Sequence, residues 1–260
     1  MLFNKFIFDV GAFDGADGLM LALKNKDHMI FAFEANPEQC NVIKKNKLIL
    51  EKRIGRKIIN YKLFNLAISN KIGISSFFIS NNPTVSSVKK IRKNFSKYWM
   101  GYDDHFKIRK IIKAKTTTLK IICLKYKITK INYLHSDTQG NDLNVLKGMG
   151  KFIKFLQQGL VECAVNKDRS IYLQNHTLKD VLSFFKKNYF KVIRINKIQE
   201  DLNNEVNVYF RKIIDQNNFE KINVVYNCRY LSRVFKKRTY LKDDIKDFFL
   251  RIYNKYFLSV

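Results

Sequence analysis

The chain has 260 residues, 46% apolar and 14% aromatic, enough for a sizeable core, so whole-chain disorder is excluded. Two prolines and ten glycines exclude a collagen-like or linker-rich chain. Lys and Arg number 49 against 22 Asp and Glu, a formal charge of +27. That surplus fits an anionic partner such as nucleic acid, a membrane surface or an acidic glycan; it also follows from the Lys-, Asn- and Ile-rich usage of an AT-rich coding genome. The cysteines, Cys40, Cys123, Cys163 and Cys228, show no C-x-x-C spacing. Cys123 and Cys163 lie in apolar runs and read as buried thiols, which points to a reducing, cytoplasmic setting. The residues ahead of Asp9 are too few for a signal peptide, and no stretch has the length of a membrane span.

Strand and helix patterns alternate from the start. Residues 5–11 read as a buried strand, 15–26 as a helix, 29–34 as a strand and 37–52 as an amphipathic helix with Pro37 in its first turn. Residues 57–69 predict a third strand, with 72–79 paired beside it as a hairpin. Residues 81–105 have no clear period and contain the single tryptophan, Trp99, so they form an irregular insertion. Then come a strand (110–117), a helix (119–126), a strand (131–137), a helix from Asp142 to about Phe155, a strand (159–165) and a helix (177–188). Two closing strands follow, at 191–196 and 205–211. This alternation predicts an α/β fold, a mostly parallel sheet with helices on both faces. The composition shifts near Lys212, giving a domain over 1–212 and a basic extension over 213–260. The last forty residues hold ten Lys/Arg against three Asp/Glu, and Phe248, Phe249, Ile252, Tyr253, Tyr256 and Phe257 fall on one helical face. Such a helix docks on its own domain, or touches a membrane surface or a protein partner.

Two segments carry the chemistry. In Phe8-Asp9-Val10-Gly11-Ala12-Phe13-Asp14-Gly15 a strand ends and a helix begins. Gly11 permits a tight turn, Gly15 lets backbone approach a ligand, and the helix N-terminus favours an anionic group. Asp9, at the strand end, can accept from a cationic ammonium group. Glu34, 19 residues after Gly15 in the segment Phe33-Glu34-Ala35-Asn36-Pro37, closes the next strand. There a carboxylate can accept both hydroxyls of a ribose. The loop G-A-F-D-G is not G-x-G-x-x-G, which argues against a nicotinamide or flavin dinucleotide.

With FDVGAFDG, FAFEANPE, NLAISNKIG, the run from TTTLK to SDTQGNDLNVLKGM, and VECA, the chain resembles the FkbM-type methyltransferases over about residues 5–212. These belong to the Rossmann-like class I enzymes that use S-adenosylmethionine. The resemblance implies a seven-stranded sheet whose last hairpin strand is antiparallel. It also implies that Asp9, Gly11, Ala12, Phe13 and Gly15 surround the methionine part of the cofactor. Glu34 would hold the ribose, with Ala35 and Asn36 beside the adenine and Ala67 and Ile68 lining its pocket. Asp14 stands where many relatives carry Asn.

Asp137 closes the strand 131–137, whose carboxyl end faces the transferred methyl group in this fold. Methyl transfer to an aliphatic hydroxyl needs alignment and a base, and Asp137 and His135 are the candidates. The same residues have structural uses, His135 in the core and Asp137 as a turn cap. Asp142 or Asn141 reads as a helix cap. Asp137, Asp142 and Glu162 could form an oxygen-rich metal site, but no metal site is assigned. Ser86 and Ser87, with Trp99, Tyr102 and His105, either shape an acceptor pocket or form a plain lid.

The function expected is O-methylation of a hydroxyl on a sugar, glycan or related metabolite, so the expected partner is a small-molecule or glycan acceptor. The first alternative is an RNA methyltransferase drawing on the charge. Against it, the N-P-P-Y/F motif of amino-nitrogen methylation is lacking, and no cysteine lies near Asp137 for 5-methylcytosine chemistry. The second is a binding module that keeps the fold without the catalysis.

Overall fold

A computed structural model describes residues 3–198 apart from 98 and 174, together with 204–213 and 222–223. The expected helical face of the basic extension lies outside the described residues. Two sheets organise the chain. The main one holds β1 (Phe6–Val10), β2 (Met29–Glu34), β3 (Tyr61–Asn65), β7 (Tyr133–Ser136), β8 (Gln158–Ala164), β9 (Phe190–Lys197) and β10 (Glu205–Lys212). Their order is β3-β2-β1-β7-β8-β10-β9. β10 runs antiparallel to both its neighbours, and the other pairs are parallel. This is the class I sheet with its inverted last strand.

Each face is covered by helices, as a parallel sheet requires. Phe8, Val10, Leu134, Val161 and Val208 pack beneath α4 (Leu119–Lys125), α5 (Asp142–Lys147) and α6 (Leu178–Lys187). Ile7, Ile30, Ala32, Tyr133 and Leu160 point the other way, to α1 (Ala16–Lys24) and α2 (Pro37–Ile54). By strand alternation Asp9 and His135 share that second face. Local chemistry sets the helix ends. Asn36 caps α2 ahead of Pro37, and Thr177 and Asp180 make a capping box on α6. Cys40, Cys123 and Cys163 are buried free thiols. No helix among the described residues is long and apolar enough to cross a membrane.

Three expectations change. The strand over 57–69 divides: β3 stops at Asn65, whose side-chain amide donates to the Glu34 and Ala35 carbonyls. The chain then leaves the sheet, and β4 (Ala67–Ile68) joins a second sheet. The segment 72–79 becomes β5 (Gly73–Ser80), which pairs antiparallel with β6 (Ile108–Thr117) and not with β3. The order there is β4-β6-β5. The helix expected to run to about Phe155 ends at Lys147; a 3-10 segment over Gly150–Phe155 replaces the rest, and Gly150 breaks the helix with φ +51°. The irregular insertion holds two 3-10 turns and one short helix, α3 (Asp103–Phe106).

Candidate active site

The carboxyl ends of β1, β2 and β7 meet the second sheet around a cleft lined by Gly11, Glu34, Ile68 and Asp137 among others. The β1–α1 loop forms its floor. Gly11 and Ala12 both donate their N–H to the Phe33 carbonyl, at 3.0 Å. Gly11 adopts φ +85°, and a Cβ there would lie 1.9 Å from the Asp137 carbonyl oxygen. Only glycine lets the ends of β1 and β7 close in this way.

Phe13 also has a positive φ, 49°, a strained choice for an aromatic residue. It aims the Phe13 N–H at Glu34 Oε2, 2.9 Å away, while the Asn36 N–H reaches Oε1 at 2.7 Å. The Glu34 carboxylate is therefore fixed from both sides at the cleft wall. Burial pushes its pKa up to about 7, against the opposing pull of those N–H groups; the charge of Asp9 adds to the rise.

The opposite wall is the β7–α5 turn. Asp142 accepts from the Ser136 hydroxyl at 2.6 Å and from the Thr138 N–H at 3.1 Å, tying the turn to the helix start. Its pKa is pushed up to about 7 by burial and by Asp137. Asp137 is half-buried and faces the cleft. Its carboxyl also holds protons more tightly than usual, first through burial, with part of the effect offset by His135 and Gln139. Gln139, at φ 53°, donates its amide to Asp137 Oδ1 at 2.7 Å and lies 3.4 Å from Glu162 Oε1. Its carbonyl end is 2.9 Å from the Tyr172 hydroxyl, which also lies 2.8 Å from the Val85 carbonyl. Tyr172 packs with Trp99 and Phe106, so it helps fasten the insertion to the site.

Eight of the twelve expected site residues line the cleft: Gly11, Phe13, Glu34, Ala35, Asn36, Ala67, Ile68 and Asp137. Four do not. Ala12 is buried in the second-face core, and Gly15 packs on Ile43. Asp9 and His135 lie beneath α1, where Asp9 Oδ1 meets His135 Nδ1 at 2.8 Å and both side chains are almost wholly buried. Burial opposes a charge on His135, but the Asp9 hydrogen bond and nearby carboxylates outweigh it, raising its pKa to about 9. This contact with Asp9, away from the cleft lining, suits a buried ion pair. Ser86 lines the cleft, whereas Ser87 is buried and donates to the Gln139 carbonyl at 2.7 Å. Gln139 lies between Asp137 and Glu162, while Asp142 accepts from Ser136 and Thr138. Among the described residues no group of three His, Cys, Asp or Glu side chains is placed to hold a metal ion. Gln139 and Tyr172 escaped the sequence reading, since their pairing spans 33 positions and follows no local pattern.

The profile of the family described as the methyltransferase FkbM domain matches residues 9–192. No curated protein matches the chain. Among solved structures, the chain is similar to an FkbM methyltransferase from Methylobacillus flagellatus KT. The TM-score is 0.47 at 10% identity, over 80% of this chain and 43% of that one. This chain thus spans less than half the length of that protein. It is also similar to magnesium protoporphyrin IX methyltransferase from Synechocystis PCC 6803, solved with bound SAM (TM-score 0.43, 8% identity, 81% of this chain and 71% of that one). A third is a putative rRNA-methylase from Clostridium thermocellum (TM-score 0.43, 13% identity, 81% and 90%).

Proposed function

The chain belongs to the FkbM methyltransferase domain family, whose methyl donor is S-adenosylmethionine, and from that membership we propose that it methylates a hydroxyl oxygen on a sugar, glycan or related metabolite. The cleft suits the donor chemically. It offers a fixed carboxylate for a ribose diol, an apolar wall of Leu66, Ile68 and Phe77 for a base, and a glycine turn with no side chain in the way. Glu34 would hold the ribose, Ala35, Asn36, Ala67 and Ile68 the adenine, and Gly11 and Phe13 the methionine part. When bound, the donor supplies a methyl group on a positively charged sulfur.

One observation carries the reading. Asp137 stands at the carboxyl end of β7, facing the same cleft as Glu34, with its affinity for protons raised by burial. A carboxylate in that state is a better base than one in water, and an aliphatic hydroxyl needs such help to lose its proton as its oxygen is alkylated. Gln139 holds one Asp137 oxygen, leaving the other to accept that proton. The test is Asp137→Asn, assayed by mass spectrometry for methyl transfer into a panel of sugars. We expect kcat to fall by about 10²–10⁴, with S-adenosylhomocysteine affinity held within about threefold. An unchanged kcat removes Asp137 as the base; methylation of RNA but of no sugar removes the acceptor class.

A further inference from the structure

Next to the cofactor cleft, and sharing Val88 and Asn141 with it, runs an open groove of about 900 Å³. Four lysines line it: Lys71 after β4, Lys89 and Lys90 at the end of the insertion's first turn region, and Lys113 on β6. His176 lies beside them, and no Asp or Glu is among the lining residues described. The charges feel one another. Burial and the proximity of Lys71 and Lys147 make Lys89 easier to deprotonate, and burial with Lys147 and Lys89 does the same to His176. A bound anion would relieve that repulsion. A second, independent feature is Ser75. It lines the same groove and is buried at 8% exposure, yet its hydroxyl has no hydrogen-bond partner among the described residues. A buried hydroxyl left in that state costs free energy unless a ligand or water completes it.

Taking the methyl-transfer reading above as its basis, we propose that this groove binds the phosphate or diphosphate of a phosphate-bearing sugar acceptor, and so delivers its hydroxyl to the adjoining cleft. Several lysine point charges around one site suit a multivalent phosphate better than a single carboxylate. A single-stranded nucleic acid would use a row of aromatic platforms for its bases, and among the described residues lining this groove Phe78 is the only Phe, Tyr or Trp.

The probe is inorganic pyrophosphate, titrated calorimetrically into the full chain saturated with S-adenosylhomocysteine. Lys71 and Lys90 are exposed, so the double variant Lys71→Ala/Lys90→Ala leaves the core intact. Lys186→Ala/Lys187→Ala, on exposed positions of α6, makes the same change in net charge far from the groove. We expect pyrophosphate binding to weaken at least tenfold in the first variant and to hold within twofold in the second, with S-adenosylhomocysteine affinity unchanged in both. Equal losses in the two variants would reduce the effect to net charge and overturn the proposal. So would a single-stranded RNA oligonucleotide that binds more tightly than pyrophosphate and is lost in the groove variant alone. Methylation of neutral sugars without pyrophosphate binding would sink the groove and leave the proposed function standing. Pyrophosphate binding lost in the groove variant alone, without methylation of any sugar, would uphold the groove and sink that function.

Discussion

Replacing Gly11 by alanine tests whether the cleft floor depends on the contact between β1 and β7. The new Cβ would lie 1.9 Å from the Asp137 carbonyl oxygen. An ordinary carbon–oxygen contact is about 3.3 Å, so that carbonyl must retreat by roughly 1.4 Å. The retreat strains the bond from the Asp137 N–H to the Val10 carbonyl, 2.9 Å in the native chain. Left-handed backbone costs about 1–2 kcal/mol, overpacking about 1–3 kcal/mol and a weakened hydrogen bond about 1 kcal/mol. A total of about 3–6 kcal/mol translates into a fall in Tm of about 6–24 °C for a domain of this size. Gly55→Ala is the control. It has φ +68° but nothing within 4 Å of a new Cβ, so it carries the backbone cost alone, about 2–8 °C. Differential scanning calorimetry and S-adenosylhomocysteine titration read both variants. Because Gly11 and Asp137 both line the cleft, affinity should fall at least tenfold in Gly11→Ala and stay unchanged in Gly55→Ala. Native affinity in Gly11→Ala, or a Tm matching that of the control, would refute the steric argument.

The buried titratable groups set a pH dependence. Glu34, Asp142 and Glu205 have pKa values raised to about 7, 7 and 8, and that of His135 is raised to about 9. Each binds its proton more tightly folded than unfolded, so its stabilisation is present at low pH and lost as pH rises through the folded value. The ligand-free protein should therefore lose stability between about pH 5 and pH 9, up to about 3 kcal/mol of it through Glu34 alone, and its Tm should fall accordingly; a Tm that rises across that range contradicts the assignment. His135→Leu strands the Asp9 carboxylate in the core, at a cost of about 3–5 kcal/mol. If His135 only partners Asp9, the folded variant at low temperature should keep the pH–rate profile of the native chain. Loss of a limb from that profile would return His135 to the chemistry.

Much of this was legible because it is local. The strand–glycine–helix sequence at Phe8–Gly15 and the Glu34–Pro37 segment each specify their own turn, cap and exit, and they stand where the sequence placed them. The exceptions are decided at long range. Nothing within the 57–69 run marks Leu66 as the point where one strand becomes two; the break depends on Asn65 reaching the Glu34 and Ala35 carbonyls. The partner of β5 is set by β6, more than twenty residues on. Period-two spacing placed His135 and Asp137 on one face, as the pleat requires. It could not tell that α1 covers that face at His135 while the cleft opens at Asp137, one pleat further along. Tyr172 and Gln139 come from two segments that only the folded chain brings together.

The most direct test of the central claim is calorimetric titration with S-adenosylmethionine and S-adenosylhomocysteine, comparing the native chain with Glu34→Ala. The two backbone N–H groups on Glu34 fix its carboxylate at the cleft wall. Micromolar binding by the native chain, weakened at least a hundredfold in the variant while its Tm stays within reach of the assay, is the expected result. A native chain that binds neither ligand, or a Glu34→Ala variant that binds both as well as the native chain does, would contradict the assignment of this cleft.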